Sequence, residues 1–359
     1  MDFIRLDSAI PPLAQTAMRE AQQRWNSIAK PIGSLGLLEQ AVIQIAGLTN
    51  DASVRLNKRA VLVLCADNGV VDEGVTQAGS EITALVTGNI AAGKASVCHM
   101  AAVANADIIA ADLGMVQSID APNLLGRRIA PGTENIVRGP AMTRQQAIQA
   151  IQTGIELVKS CQAQGYAVLA TGEMGIGNTT TSSAVASVLL DKPVEEVTGR
   201  GAGLTDTGLL RKIDAIKRAI AVNAPDPTDA LDVVSKLGGF DIAGMCGIFI
   251  GGAAYRVPIL IDGFISAVSA LIAARLCPAS VCAMLASHVS AEPAGSMVLD
   301  ALGFRPLITA QMRLGEGTGA VAALPLLDMA LAVYHNMSTF SDIGMKEYDP
   351  LGGYKCEPL

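Results

Sequence analysis

Short apolar runs and longer stretches of helical period take turns along this chain. The runs are "AVLVLCAD" (60–67), "ADIIAADLG" (106–114), "YAVLATGEMG" (166–175), "VPILIDG" (257–263) and "VCAMLASHVS" (281–290). Apolarity that continues instead of alternating marks strands buried on both faces, as in a parallel sheet. Between them, apolar residues recur at helical spacing over 12–29, 80–104, 143–164, 206–222 and 318–334, which predicts helices there. Ligands of such a sheet bind beyond the carboxyl ends of its strands. The polar endings Asp67, Glu173, Asp262 and Ser290 are therefore the first places to look for chemistry.

The fold class expected is α/β: a parallel-sheet, three-layer (Rossmann-like) catalytic domain over 51–317. The first 50 residues hold no strand pattern and read as two helices joined by "KPIGSLG". They are expected to form a small helical domain, joined by a C-terminal helix at about 318–340. A tail rich in glycine and proline, 347–359, is expected to be flexible.

Composition narrows the function classes. A chain of 359 residues, half of them hydrophobic, can bury a large core. A net charge of −7, a pI near 5.1 and the absence of a basic run argue against a nucleic-acid binder. Mean hydropathy is +0.40, yet the most apolar region, 242–276, is interrupted by Tyr255, Arg256 and Asp262 before it reaches the length of a span. No membrane partner is expected. The start "MDFIRLDSAIPP" lacks a sustained apolar core, so a cytoplasmic protein is expected. Seven scattered cysteines without a CxxC pair fit reduced, buried thiols.

Several motifs carry candidate chemistry. "GNIAAGKAS" (88–96) has P-loop spacing, but Ala95 stands where the metal-binding hydroxyl belongs and the segment sits in a helical pattern. "GRGAGL" (199–204) offers glycines without the dinucleotide fingerprint. In "ATGEMGIGNTT" (170–180) a strand runs into a Gly-rich turn and a polar helix start, where Asn178, Thr179 and Thr180 could hold an anion or simply cap the helix. Glu173 within it could accept hydrogen bonds from sugar hydroxyls. Asp67 and Asp72 could suggest a metal pair, though no further ligand spacing supports it, and His288 alone reads as a core or surface residue. "MRLGEGTGA" (312–320) sets Glu316 between two glycines, where either a ligand-facing acid or a plain turn is possible.

Taken in order, "KPIGSLG", "CADNGV", "TGEMGIGNTT", "LGGFDIAGM", "LIDGF", "SHVSAE" and "MRLGEGTGA" resemble the nicotinate-nucleotide:dimethylbenzimidazole phosphoribosyltransferases of cobamide assembly, from about residue 10 to about residue 340. The resemblance implies transfer of the phosphoribosyl group of nicotinate mononucleotide to the lower-ligand base, inverting ribose C1′ and releasing nicotinate. Glu316 would be the general base, with Glu173 holding ribose hydroxyls. Gly175, Gly201, Ala202, Gly203, Lys212 and Ser290 would cradle phosphate and ribose, and Leu314 would also line the substrate site. Asp262 and Asn178 would order the site from one step back. Nicotinate departs as a neutral ring, so neither cofactor nor metal is expected. Small-molecule substrates are the expected partners. In the family the loop matching "KPIGSLG" reaches a neighbour's active site, which implies a homodimer or a heterodimer with a paralogous subunit.

Two departures from the family pattern bear on the acceptor. The family's usual D-H-G reads Asp67-Asn68-Gly69 here, and polar residues that commonly meet benzimidazole align with Ala78 and Val86. Such a pocket suits phenol or p-cresol, which some relatives attach through oxygen as paired subunits, better than 5,6-dimethylbenzimidazole. The competing reading is a non-catalytic subunit that stabilises an active paralog. Retention of Glu316 and Glu173 argues against it.

Overall fold

In the computed structural model, which describes residues 1–348, six parallel strands form one sheet in the order β3-β2-β1-β4-β5-β6. They are β1 (Arg59–Ala66), β2 (Asp107–Gly114), β3 (Leu124–Gly126), β4 (Val168–Met174), β5 (Ile259–Ile261) and β6 (Met284–Ala286). Five of the six match the runs read from the sequence. The last two are shorter than expected, because residues 278–283 form a 3-10 turn ahead of β6 and only three residues of β5 pair. β3 has no counterpart among those runs: at three residues it is too short to leave a pattern. Residues 349–359, most of the tail expected at 347–359, lie outside the described residues.

Side chains alternate across the strands and serve two cores. On one face Val61, Val63, Cys65, Val168, Ala170 and Leu260 meet α2 (Gln15–Ser27), α3 (Leu37–Thr49), α4 (Glu81–Ala91), α5 (Ser96–Val103) and α14 (Thr318–Asn336). On the other, Leu62, Leu64, Leu113, Leu169 and Ile261 meet α6 (Arg144–Ala163), α7 (Asn178–Leu190), α8 (Val194–Val197), α9 (Asp206–Asn223), α10 (Ala230–Leu237), α11 (Phe240–Tyr255), α12 (Phe264–Leu276) and α13 (Ala294–Leu302). A short α1 (Phe3–Ala9) packs at this core's margin.

The N-terminal helices share one core with the sheet and with α14: Trp25 stacks on Tyr334 at 4.9 Å, and Arg24 Nε donates to the Tyr334 carbonyl at 2.8 Å. By length and composition α14 is the one helix among the described residues apolar enough to cross a bilayer; here it packs against α3, α5 and β4 as a core helix does. The helix expected over 80–104 is two helices, α4 and α5, broken at 92–95 where Gly93 takes a positive φ of 75°. That break leaves the amino end of α5 free to face the carboxyl ends of the strands.

Candidate active site

A cleft of about 470 Å³ opens at the carboxyl ends of β4, β5 and β6. Its floor is the end of β4. There Glu173, 7% exposed, is reached by the Asn178 amide, which donates to both Glu173 Oε2 and, at 3.0 Å, Asp241 Oδ2. Burial and the neighbouring Asp241 charge push Glu173 up to about 8, against the pull of Asn178, and burial lifts Asp241 to about 6. With its amide nitrogen turned to these two carboxyl groups, the Asn178 side chain does not cap α7 and has no amide N–H left for a ligand anion. The cap position is Gly177, at φ 96°.

Glu316 stands at the lip. Residues 315, 316 and 317 all have positive φ, 86°, 61° and 94°, a run that glycine on either side makes possible. The glycines also have a packing reason. A Cβ on Gly315 would lie 2.5 Å from Glu173 Oε1, and one on Gly317 would lie 2.7 Å from Val61 Cγ1. The loop thus lies directly on β4, where a Cβ on Gly172 would come 2.4 Å from the Glu316 carbonyl oxygen. Glu316 Oε2 accepts from the Val97 amide at 3.2 Å, in the first turn of α5. Its Oε1 takes no protein hydrogen bond among the described residues and is left for a ligand.

Asp262 couples the two. Following β5, its Oδ1 accepts from the Gly319 and Ala320 amides at 2.8 and 3.0 Å, and its Oδ2 from Gly317 at 3.2 Å. Gly317 offers α14 no side-chain cap, so a carboxylate from a different element satisfies the helix's first amides and pins the residue after Glu316. His288, buried beside it, is held below its usual pKa by desolvation, although Asp262 pulls it up.

Lys212 is fully buried behind Gly201, with Nζ donating to Thr179 Oγ1 at 2.8 Å and the Gly199 carbonyl at 3.1 Å. Burial lowers it to about 8, and Glu292 opposes the shift. Neither Lys212 nor Gly203 touches the cleft itself; Gly203 is exposed, with Gln77 bonded to its carbonyl. Gly175, Gly201, Ala202, Ser290, Leu314, Ala78 and Val86 do line it, together with Glu316, Glu173, Asn178 and Asp262.

Sequence reasoning missed Arg200 and Arg313 as lining residues and Asp241 beneath the floor, while His288, read as a core or surface residue, and Glu292, which follows Ser290 after the last strand, line the cleft as well. Arg200 lies in the "GRGAGL" stretch and Arg313 adjoins Leu314, so a search for cations beside the glycines could have found both. Asp67 and Asp72 do not converge: Asp67 is buried and accepts from the Val116 amide at 2.7 Å, whereas Asp72 is exposed beside Arg138. Lys94, of the P-loop-like stretch, is exposed to solvent.

Comparison with known proteins follows the same lines. A family model described as a phosphoribosyltransferase matches residues 10–345. The chain is similar to the nicotinate-nucleotide–dimethylbenzimidazole phosphoribosyltransferases of Ruminiclostridium cellulolyticum, 46% identical over 98% of this chain and 100% of that one, and of Acetivibrio thermocellus, 48% identical over 95% and 97%. Among solved structures, CobT from Thermus thermophilus superposes with a TM-score of 0.88 at 38% identity, covering 93% of this chain and 100% of that one.

Proposed function

Because the chain belongs to the nicotinate-nucleotide:dimethylbenzimidazole phosphoribosyltransferase family and is a phosphoribosyl-transferring enzyme, we propose that it moves the phosphoribosyl group of nicotinate mononucleotide onto a phenol such as p-cresol. The products are an α-ribotide and nicotinate. The observation that carries the acceptor is that Ala78, Val86, Val75 and Leu314 line the cleft with Glu316, and that the two polar residues among them, Thr76 and Gln77, already have partners. Thr76 Oγ1 donates to the Ala78 carbonyl at 2.7 Å, and the Gln77 side-chain nitrogen donates to the Gly203 carbonyl. Dimethylbenzimidazole brings a second ring nitrogen, and a buried polar atom left unpaired costs about 1–3 kcal/mol. A phenol brings one polar atom, the one that reacts.

In the reaction the C1′–N bond breaks and its electron pair neutralises the pyridinium, so nicotinate leaves without an acid. The phenol oxygen attacks C1′ from the opposite face and its proton passes to the free oxygen of Glu316. A phenol has a pKa of about 10, and a positioned general base contributes ~10²–10⁴ in rate. Glu173 on the floor receives ribose hydroxyls. Thr179, Gly201 and Ser290, with Lys212 behind them and Arg200 and Arg313 at the rim, supply donors and positive charge for the phosphate. Asp262 and Asn178 hold Glu316 and Glu173 in place without touching substrate.

Residues 30–36 do not line the cleft of their own chain, and Lys30 is tied back to Glu39 at 2.6 Å. A role for the loop at the site of a second subunit, identical or paralogous, is the reading the family resemblance of "KPIGSLG" carries. Sedimentation of a fully active monomer would refute that role. For the reaction, the purified chain is incubated with nicotinate mononucleotide and either p-cresol or dimethylbenzimidazole, and products are resolved by mass. A cresolyl ribotide is expected; a benzimidazole product alone would overturn the acceptor. If neither forms even with a paralogous subunit present, the chain is not a transferase for these bases.

A further inference from the structure

Asp241 lies beneath the floor of the site and is given no role in the reaction above, yet it is wholly buried and bonded to Asn178. It sits in the first turn of α11, where Oδ1 accepts from the Ile242 amide at 3.0 Å and the helix's amino end favours a negative charge. It is hemmed in: a Cβ on Gly239 would fall 2.4 Å from Oδ1, and one on Gly175 would fall 2.8 Å from Oδ2. The partner that reaches it is Asn178. The Asn178 amide nitrogen faces a carboxyl oxygen on either side, and the ionised Asp241 can only accept, so Asp241 is the group that turns the NH₂ end of the amide this way round.

We propose that Asp241 is a positioning residue for Glu173: acting through Asn178, it turns Glu173 Oε2 inward and leaves Oε1, which has no protein hydrogen bond among the described residues, to the substrate in the cleft. This rests on the reaction proposed above for what Glu173 then does, but the positioning can be tested without it. An amide at 241 would present either an oxygen or an N–H to Asn178, and the forced orientation would be lost.

The charges around Glu173 make the test decisive. Asp241 faces it from α11, Asp262 from the end of β5 and Glu316 from the loop before α14, and Asp67 at the end of β1 faces Asp241 in turn. Among the described residues no Lys or Arg is paired with any of these four. Asn178 is the donor that favours ionised Glu173. Asp241 thus acts on Glu173 in two ways, by aiming a donor at it and by repelling its charge.

The experiment is a pH titration of ¹³C-glutamate-labelled protein, with the Glu173 resonance assigned by its loss in Glu173→Gln. Asp241→Asn, nearly the same in shape, is expected to lower the Glu173 midpoint by about one pH unit, as removal of a near like charge does. Loss of charge alone would lower it equally with or without Asn178, so the positioning is read from the double variant: the fall caused by Asp241→Asn is expected to be larger in an Asn178→Ala background, where no aimed donor is lost, and equal falls overturn the proposal. Should Asp241→Asn not fold, Asn178→Ala cuts the bridge from its other end and is expected to raise the midpoint; no movement again overturns it. Activity adds a second readout: the acid limb of kcat/KM for nicotinate mononucleotide should move down with the Asp241→Asn midpoint. A wild-type chain that transfers nothing would refute the proposed reaction and not the positioning, which the titration decides alone.

Discussion

The floor of the cleft and its lip each present one glutamate, and they hold it by opposite means. Glu173 on the floor is buried, and its direction is set by side chains: Asn178 on one oxygen, Asp241 behind Asn178. Glu316 on the lip is half-exposed, and its direction is set by backbone: three successive positive φ values, the contact with Gly172, and the Val97 amide. A group fixed by burial has its pKa moved by the same burial. One fixed by backbone keeps a free face toward solvent and ligand, which suits the general-base role proposed for Glu316.

The largest effect expected from breaking this arrangement is at the lip. Glu316→Gln keeps the shape and removes the base, so kcat should fall ~10²–10⁴-fold while nicotinate mononucleotide still binds, as measured by titration calorimetry. On the floor the expected effect is on stability. Glu173 rises from 4.5 to about 8, so between those values the folded chain holds a proton that the unfolded chain has lost. Its stabilising contribution is full below pH 4.5 and disappears as pH rises through 8. Lys212, lowered from 10.5 to about 8, works the other way: between those values the unfolded chain holds the extra proton, and stability recovers as pH climbs. Above pH 9 the buried thiols Cys65, Cys161 and Cys277, pushed up by desolvation, oppose Lys212, so the window that isolates Glu173 is the fall between pH 4.5 and 8, with a span of a few kcal/mol. In thermal melts across pH, Glu173→Gln should make that fall shallower, leaving the part due to Asp241, which is lifted to about 6.

A smaller loss separates backbone from side chain at the lip. Gly172→Ala leaves every polar group in place but puts a methyl 2.4 Å from the Glu316 carbonyl oxygen. Displacing the base by about 1 Å can cost ~10²-fold in kcat, and the substitution should spare the Glu173 titration. Smallest is the acceptor wall. Ala78→Ser with Val86→Gln restores polar partners and should shift the kcat/KM ratio toward dimethylbenzimidazole by about tenfold, the scale of one satisfied buried hydrogen bond.

The same contrast explains what the sequence made legible. Strand endings and glycine neighbours single out Glu173, Asp262 and Glu316, since those features are local. Asp241 does not announce itself, because its partner Asn178 is 63 residues away and it lies in the apolar stretch "GGFDIAGM". Helices α11 and α12 escape periodicity analysis for a related reason: nearly every residue is buried, so neither shows a polar face. Conversely α6, with one wet face and the Thr143–Gln146 capping box, stands out. The break between α4 and α5 leaves only Gly93 as its mark, a weak one, yet it supplies the amide that orients Glu316.

The most direct test of the account is a competition: wild-type enzyme with nicotinate mononucleotide and equal concentrations of p-cresol and dimethylbenzimidazole, with the two ribotides quantified by mass in one reaction. The apolar wall at Ala78 and Val86 predicts the cresolyl ribotide in excess. Predominance of the benzimidazole ribotide would contradict it and return the acceptor to the one named for this chain's relatives.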